Sequence, residues 1–415
     1  PDVNILLIDF GASRIKSSLY DSETEILSDV FSTPGTFFSK MSTVTLKYIN
    51  ERFHEHLNYH HDIDKIAICS EMHGFILSES IPPSEEDLYI SWRADLSHNK
   101  KKDIQSYDSS LLSITGINDK LGLPRVNINY HQNYNKKSHL LSLIDAIILL
   151  NGTWNSKTSI HLAAATGLFD IWNNKWIKSL DKTNIITYDV SSYGDSLGFI
   201  NYSKKNIPVF GGLGDLQAAI MSIDLSSSIN VNMGTGSQIS MEYSPNLSYE
   251  IRPYMHKKFI NTLTHLPCGR VLNEYASYVD SLFDKNIDSV FWNKLFKTSI
   301  DINHDNEYEI NLNIIRGLYG YIENKSITSI DNINRIDDYI YSIKKALANQ
   351  YVCIINDIKR YQDISKIYVT GVLGMKIPEF CEVLEYNTNL KVERCTEATD
   401  STIIGLKNYC IAHKL

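Results

Sequence analysis

The sequence is poor in several features that narrow a function quickly. Its six cysteines (Cys69, Cys268, Cys353, Cys381, Cys395 and Cys410) are scattered over 415 residues without a CxxC pair. That pattern excludes a disulfide-stapled small domain and offers no zinc-ligand spacing. No run reaches the roughly 18 apolar residues of a membrane-crossing helix. The first residues lack the basic-then-apolar pattern of a secretory signal. Positive charge is also short: 40 Lys and Arg against 48 Asp and Glu give a net charge of −8. A general nucleic-acid binder would need a basic face, so that class is set aside. No repeat of 20–50 residues and no low-complexity segment appears. The expectation is a reduced, cytoplasmic protein of ordinary globular composition, 43% hydrophobic and 21% charged, long enough for two or three domains.

What is present begins with ILLIDFGASRIKSSLYD (5–21). Ile5–Ile8 is continuously apolar, as in a strand buried on both faces. After Gly11 the residues Ile15, Ser17 and Leu19 alternate with Lys16, Ser18 and Tyr20 at period two. The segment reads as strand, glycine turn, strand, whereas a Walker A loop leads into a helix. A hairpin tip presents backbone N–H groups and the Ser13 hydroxyl, which suit phosphate oxygens. Asp9, at the carboxyl end of the first strand, suits the Mg²⁺ that accompanies phosphates, held through water, or else a bond to its own turn. Lys16 either neutralises phosphate charge or is a solvated strand residue.

The design recurs in SSSINVNMGTGSQISMEY (226–243), where Gly234-Thr235-Gly236-Ser237 separates two alternating runs. Two such bends, one opening each half, predict two similar domains clasping a nucleotide. A third glycine turn follows Lys366–Thr370, where Gly371 and Gly374 are expected to precede a helix carrying Ile377, Phe380, Cys381 and Leu384 inward. These two glycines would let backbone approach an adenine or ribose closely. Asp215, in GGLGDLQAA (211–219), stands at the start of a predicted helix, where it is either an N-cap or a catalytic base. Asp400, in the late acidic cluster, or Thr399 before it, reads as the N-cap of a closing helix with Ile403, Ile404, Leu406 and Tyr409 inward.

Tandem glycine hairpins with a late glycine turn resemble the actin, Hsp70 and sugar-kinase superfamily. KIAICSEMHGFIL (65–77), GGLGDLQAA (211–219) and IHLAAATGLFDIWNNKW (160–176) are similar to segments of the FGGY family of carbohydrate kinases. Gly-Asp-Leu-Gln at 214–217 with Gly-Thr-Gly-Ser-Gln at 234–238 most resembles the sedoheptulokinase branch, with xylulokinase next. The resemblance implies an α/β chain of two ribonuclease-H-like, actin-like domains with a nucleotide and sugar cleft between them. The domains are expected at 1–223 and 224–415, hinged at DLSSSIN (224–230).

The implied activity is ATP-dependent phosphorylation of a ketose at its terminal primary hydroxyl. Asp215 would be the base, sharing Mg²⁺ with Asp9. Gly11, Ser13, Gly234, Thr235, Gly236, Gly371 and Gly374 would hold ATP. Met72, His73, Gly74, Trp92 and Asp95 would meet the sugar with Asp215, Gly74 by admitting a hydroxyl to the backbone. A homodimer is compatible with this reading, and neither nucleic acid nor membrane is an expected partner. Glu71 stands where the family has Gln, Ala12 where Thr is common, and SWRADLS (91–97) departs from the family's Trp-x-Asp-x-Arg. Another FGGY specificity, or an actin- or Hsp70-like ATPase or sugar sensor without phosphotransfer, are the alternatives. Arg252-Pro253-Tyr254 reads as structural.

Overall fold

The computed structural model describes residues 3–36, 43–92, 109–118, 122–131, 135–178, 183–234, 236–283, 288–301, 310, 312, 335–395 and 400–415. The chain forms two compact units: Pro1–Asp224 with Glu250–Phe259 and Ala398–Leu415, and Leu225–Tyr249 with Ile260–Glu397. The expected division into 1–223 and 224–415 therefore needs correction, because two later segments belong with the first unit. The closing helix Ser401–His413 packs on the helix Asp215–Ile220 so closely that a side chain at Gly405 would start 1.6 Å from the carbonyl oxygen of Ala218. Ile403, Leu406 and Tyr409 point into the core of the first unit as expected, while Ile404 is only half-buried.

In the first unit five strands hydrogen-bond in the order Phe31–Pro34, Arg14–Asp21, Asn4–Phe10, Lys65–Ser70, Lys205–Gly214. The first two junctions are antiparallel and the last two parallel. The opening strand is apolar throughout because both of its faces are covered. Leu6, Ile8 and Phe10 pack with Ile49, Phe53 and Leu57 of the helix Leu46–Tyr59. Ile5 and Leu7, on the opposite face, pack with Ala218 and the closing helix.

The second unit repeats this order with Phe259–Leu266, Ser237–Glu242, Ser228–Met233, Lys366–Thr370 and Lys391–Arg394. Its core gathers Val231, Ile239, Val369, Val271, Leu347 and Phe380 between the sheet and its helices. Gly371 caps a short helix, Val372–Lys376, that already contains Gly374, and a second helix runs over Glu379–Thr388. The single helix expected after Gly374 is thus two helices, with Ile377 at the junction. No helix among the described residues is long and apolar enough to cross a membrane, and none of the six cysteines is in a disulfide.

Candidate active site

Three neighbouring parallel strands of the first unit end side by side. Asp9 is in register with Cys69, and Cys69 with Leu213. The chain then leaves these strands at Gly11, Glu71 and Asp215. Such a row of carboxyl ends is where ligands bind in open α/β sheets. Gly211 and Gly212, at φ +90° and +69°, form an irregularity in the last strand that only glycine adopts readily. There the serine hydroxyl of Ser159 donates to the Gly212 carbonyl at 2.5 Å.

Asp215 is the first residue of its helix rather than the cap, which is Gly214. Its Oδ1 accepts from the neighbouring Leu216 N–H at 2.9 Å. Withdrawal from water and then the Glu71 carboxylate push Asp215 up to about 6, against the pull of the Leu216 N–H and Arg252. Asp9 is 3% exposed. Burial, then Asp215, drive it up to about 7, although the Thr402 hydroxyl and Lys16 pull it down.

Thr402 Oγ1 lies 2.8 Å from Asp9 Oδ2 and 2.6 Å from Asp400 Oδ1. A hydroxyl has one proton to donate, so two ionised carboxylates compete for it. Asp400 also caps the closing helix through the Thr402 N–H and pairs with Lys16. Lys16 is therefore neither a bare solvated strand residue nor an unengaged cation. Among the described residues Oδ1 of Asp9 is buried without a hydrogen-bond partner. An orphaned carboxylate oxygen facing the field of a second carboxylate fits a cation, and Mg²⁺ needs only one or two carboxylates because it keeps several waters. Among the described residues no three acidic, His or Cys side chains form a closed metal cage.

The first bend connects Phe10 to Ile15. Its Gly11 and Ser13 carbonyls accept from Thr36 and Gly35 at 3.2 and 3.0 Å. Glycine is needed at 11 because a Cβ would lie 2.6 Å from the Arg14 carbonyl oxygen. Ser13 is exposed on the bend.

On the other side of Asp215, His73 adopts φ +66°, an uncommon conformation for a residue with a side chain. Its Nδ1 is 2.6 Å from the Ala165 carbonyl, and Met72 packs against Gly214. A Cβ at Gly74 would fall 1.8 Å from the Tyr89 hydroxyl, so the ring fills the space on that side of the glycine. Tyr89 and Thr36 donate to Oε1 of buried Glu71 at 2.9 and 2.6 Å, and Ser91 donates to Oε2 at 3.3 Å. Trp92 is half-buried, its backbone against Gly122. Asp95 and Thr235 lie outside the described residues.

In the second unit Gly371, at φ +86°, abuts the Met233 carbonyl just before the second bend, so Gly371 and Gly234 are neighbours. Gly374 is buried, and a Cβ would meet Val369 at 2.5 Å. Gly236 has open space around it.

Sequence reading missed the contact of Thr402 with Asp9 and the second role of Asp400, and it read Arg252 as structural without placing it beside His73. Asp400 was visible as a helix cap, but nothing local ties residue 402 to residue 9. Arg252 is 1% exposed; its Nη2 donates to Glu250 at 2.7 Å, and its Nη1 lies 3.5 Å from His73 Nε2.

No protein-family model matches the chain, and no curated protein does. Solved structures do. A gluconate kinase from Lactobacillus acidophilus is 16% identical, with a TM-score of 0.77 over 99% of this chain and 89% of that one. A ligand-bound xylulose kinase from the same organism gives the same values. The Plasmodium falciparum glycerol kinase with ADP is 14% identical, with a TM-score of 0.69 over 98% of this chain and 88% of that one. At such identities the likeness establishes the fold: an α/β chain with the two-domain, actin-like architecture of these kinases.

Proposed function

We propose that the protein is an ATP-dependent carbohydrate kinase acting on a small sugar or polyol, with a ketose of the sedoheptulose type, phosphorylated at its terminal primary hydroxyl, as the favoured acceptor. The observation that carries this reading is the pair of carboxylates, Asp215 and Asp9, at the carboxyl ends of two parallel strands that flank Lys65–Ser70. The fold shared with gluconate, xylulose and glycerol kinases supports it.

Phosphoryl transfer asks for an aligned hydroxyl, neutralised phosphate charge and a proton acceptor. The acceptor oxygen bonds to the γ-phosphorus as the bond to the ADP oxygen breaks, and the hydroxyl proton passes to Asp215. A base held near 6 is stronger than an ordinary carboxylate yet still ionised at neutral pH. Asp9, with Asp215 sharing, would hold Mg²⁺, which when bound supplies charge neutralisation at the phosphates. Gly11 and Ser13 offer a phosphate loop; Gly234, Thr235 and Gly236 offer the second. Gly371 is suited to backbone contact with the nucleoside. Met72, His73, Trp92 and Asp95 belong to the sugar side. Sedoheptulokinase-like wording around Asp215 favours that ketose over xylulose.

The test is coupled ADP release over sedoheptulose, xylulose, gluconate and glycerol, with wild type and Asp215→Asn. Sugar-dependent release that falls about 10²-fold or more in the variant is expected. Sugar-independent release that persists in Asp215→Asn would overturn the kinase reading in favour of a plain ATPase.

A further inference from the structure

Besides the strand ends that carry Asp9 and Asp215, the first unit holds a cavity of about 440 Å³, within the range of small-molecule pockets. Among the residues that line it are none of Asp9, Asp215, Met72 and His73. Its apolar side is Ile160, from the helix Ile160–Ala165, with the rings of Trp172 and Phe259, whose centroids are 4.7 Å apart.

Trp172 is held in place. Its Nε1 donates to the Ser113 carbonyl at 2.8 Å, and its backbone N–H donates to Asp170 Oδ1 at 3.0 Å. Trp172 nonetheless remains 42% exposed. A fixed, exposed ring on a cavity wall suits a ligand, because little ordering is left to be done on binding.

The polar side includes Ser191, Tyr193 and Lys257. Ser191 is 8% exposed, and neither its hydroxyl nor that of Tyr193 has a hydrogen-bond partner among the described residues. Burial raises the Tyr193 phenol well above its ordinary value, so it keeps its proton and can donate. The Tyr193 ring is itself packed edge-on with buried His161, centroids 5.5 Å apart. Lys257 is exposed and has no ion-pair partner among the described residues, and no acid lines the cavity.

This lining sorts ligands by their chemistry. A wholly apolar ligand would strip water from two hydroxyls and return no hydrogen bond. A cation would meet the Lys257 ammonium with no acid to offset it. A sugar ring presents C–H groups to the negative faces of aromatic rings and hydroxyls to Ser191 and Tyr193. An anionic group on that sugar would pair with Lys257.

We propose that this cavity is a second ligand site, for a monosaccharide carrying one anionic group, a phosphate or a carboxylate. The sugar ring lies against Trp172, its hydroxyls pair with Ser191 and Tyr193, and Lys257 holds the anion. The site shares no residue with the kinase machinery proposed above, so it stands whichever acceptor that machinery takes.

The experiment titrates the full chain with glucose 6-phosphate, glucuronate, glucose and inorganic phosphate, reading heat and tryptophan emission. At least one anionic sugar should shift the emission and bind about tenfold more tightly than glucose or inorganic phosphate; the tighter of the two identifies the anion. Trp172→Phe should remove the emission change, which assigns it to this cavity, and Asp215→Asn should leave it in place. Lys257→Gln should weaken the anionic sugar about tenfold without altering glucose. Tyr193→Phe keeps the ring and should weaken it about fivefold; should that variant fail to fold, exposed Lys257 carries the test. No emission change with either anionic sugar at about 10 mM overturns the proposal. So does a change that survives Trp172→Phe, or equal affinity in Lys257→Gln. Inorganic phosphate binding as tightly as glucose 6-phosphate would reduce the cavity to an ion site and overturn it as well.

Discussion

Two residues before the first bend glycine stands Asp9; two before the second bend glycine stands Asn232. Asp9 is in register with Lys16 across its hairpin, and Asn232 with Gln238. Both hairpins occupy the same place in sheets of the same order. A strand–glycine–strand bend therefore forms equally well with an acid or an amide at its base, so the hairpin does not require the charge. The acid comes at a cost in stability, since burial and Asp215 raise its pKa to about 7, and the second unit avoids that cost. The glycines differ as well. Gly11 is forced by the Arg14 carbonyl, whereas Gly236 faces open space and no neighbour among the described residues demands it. A glycine that packing does not require is the kind a ligand's close approach would explain.

Exchanging the two bases breaks the comparison most sharply. Asp9→Asn should lower kcat/KM by about 10²-fold, and Asn232→Asp should raise KM for ATP about tenfold by setting a negative charge near phosphate. Steady-state kinetics check both; a harmless Asp9→Asn would remove the functional meaning of the difference.

The same exchange should stabilise the protein. Asp9 titrates near 7 in the folded chain against an ordinary 3.8. The folded state therefore holds an extra proton between those values, and stability is lost as pH rises through 7. Without Mg²⁺, Asp9→Asn should be more stable than wild type by about 2–4 kcal/mol at pH 8 and by little below pH 4. Urea unfolding at the two pH values measures it, and an equal difference at both would contradict the assigned shift.

Smaller effects test the glycines. Gly11→Ala should cost about 1–3 kcal/mol through its clash with backbone, and Gly236→Ala less than about 0.5 kcal/mol. If Gly236→Ala nonetheless weakens ATP binding in calorimetry, its openness serves the ligand; unchanged affinity would make the second bend a plain turn.

The smallest expected effect lies away from both bends. Buried His56 and His60 share the Ser17 hydroxyl at 2.6 and 2.9 Å, and burial lowers both to about 4 from 6.5. The unfolded chain binds more protons between those values. Their contribution is therefore present above pH 6.5 and lost as pH falls toward 4, opposite in sign to Asp9. Thermal melts of His60→Gln against wild type should converge as pH is lowered across that window.

Much of the fold was legible because period-two alternation and continuous apolar runs report local burial directly. Ile5–Ile8 reads as a strand covered on both faces, and so it is. Gly74 and Gly374 were legible as glycines suited to a ligand's approach. That the ring of Tyr89 and the side chain of Val369 lie against them was not, because both arrive from other segments. Gly405 likewise lies against helix 215–220, which drew the closing helix away from the second unit.

By itself the sequence determined the two glycine bends, their strands, and the placing of Asp215 at the start of a helix, because each depends on residues within a few positions of one another. The tertiary structure alone decided that Thr402 serves Asp9 across 393 positions and that Arg252 meets His73 across 179. Hydrogen bonds of that span leave no periodic trace in a sequence. They exist only once packing has brought distant backbone together and removed the water that would otherwise satisfy both partners.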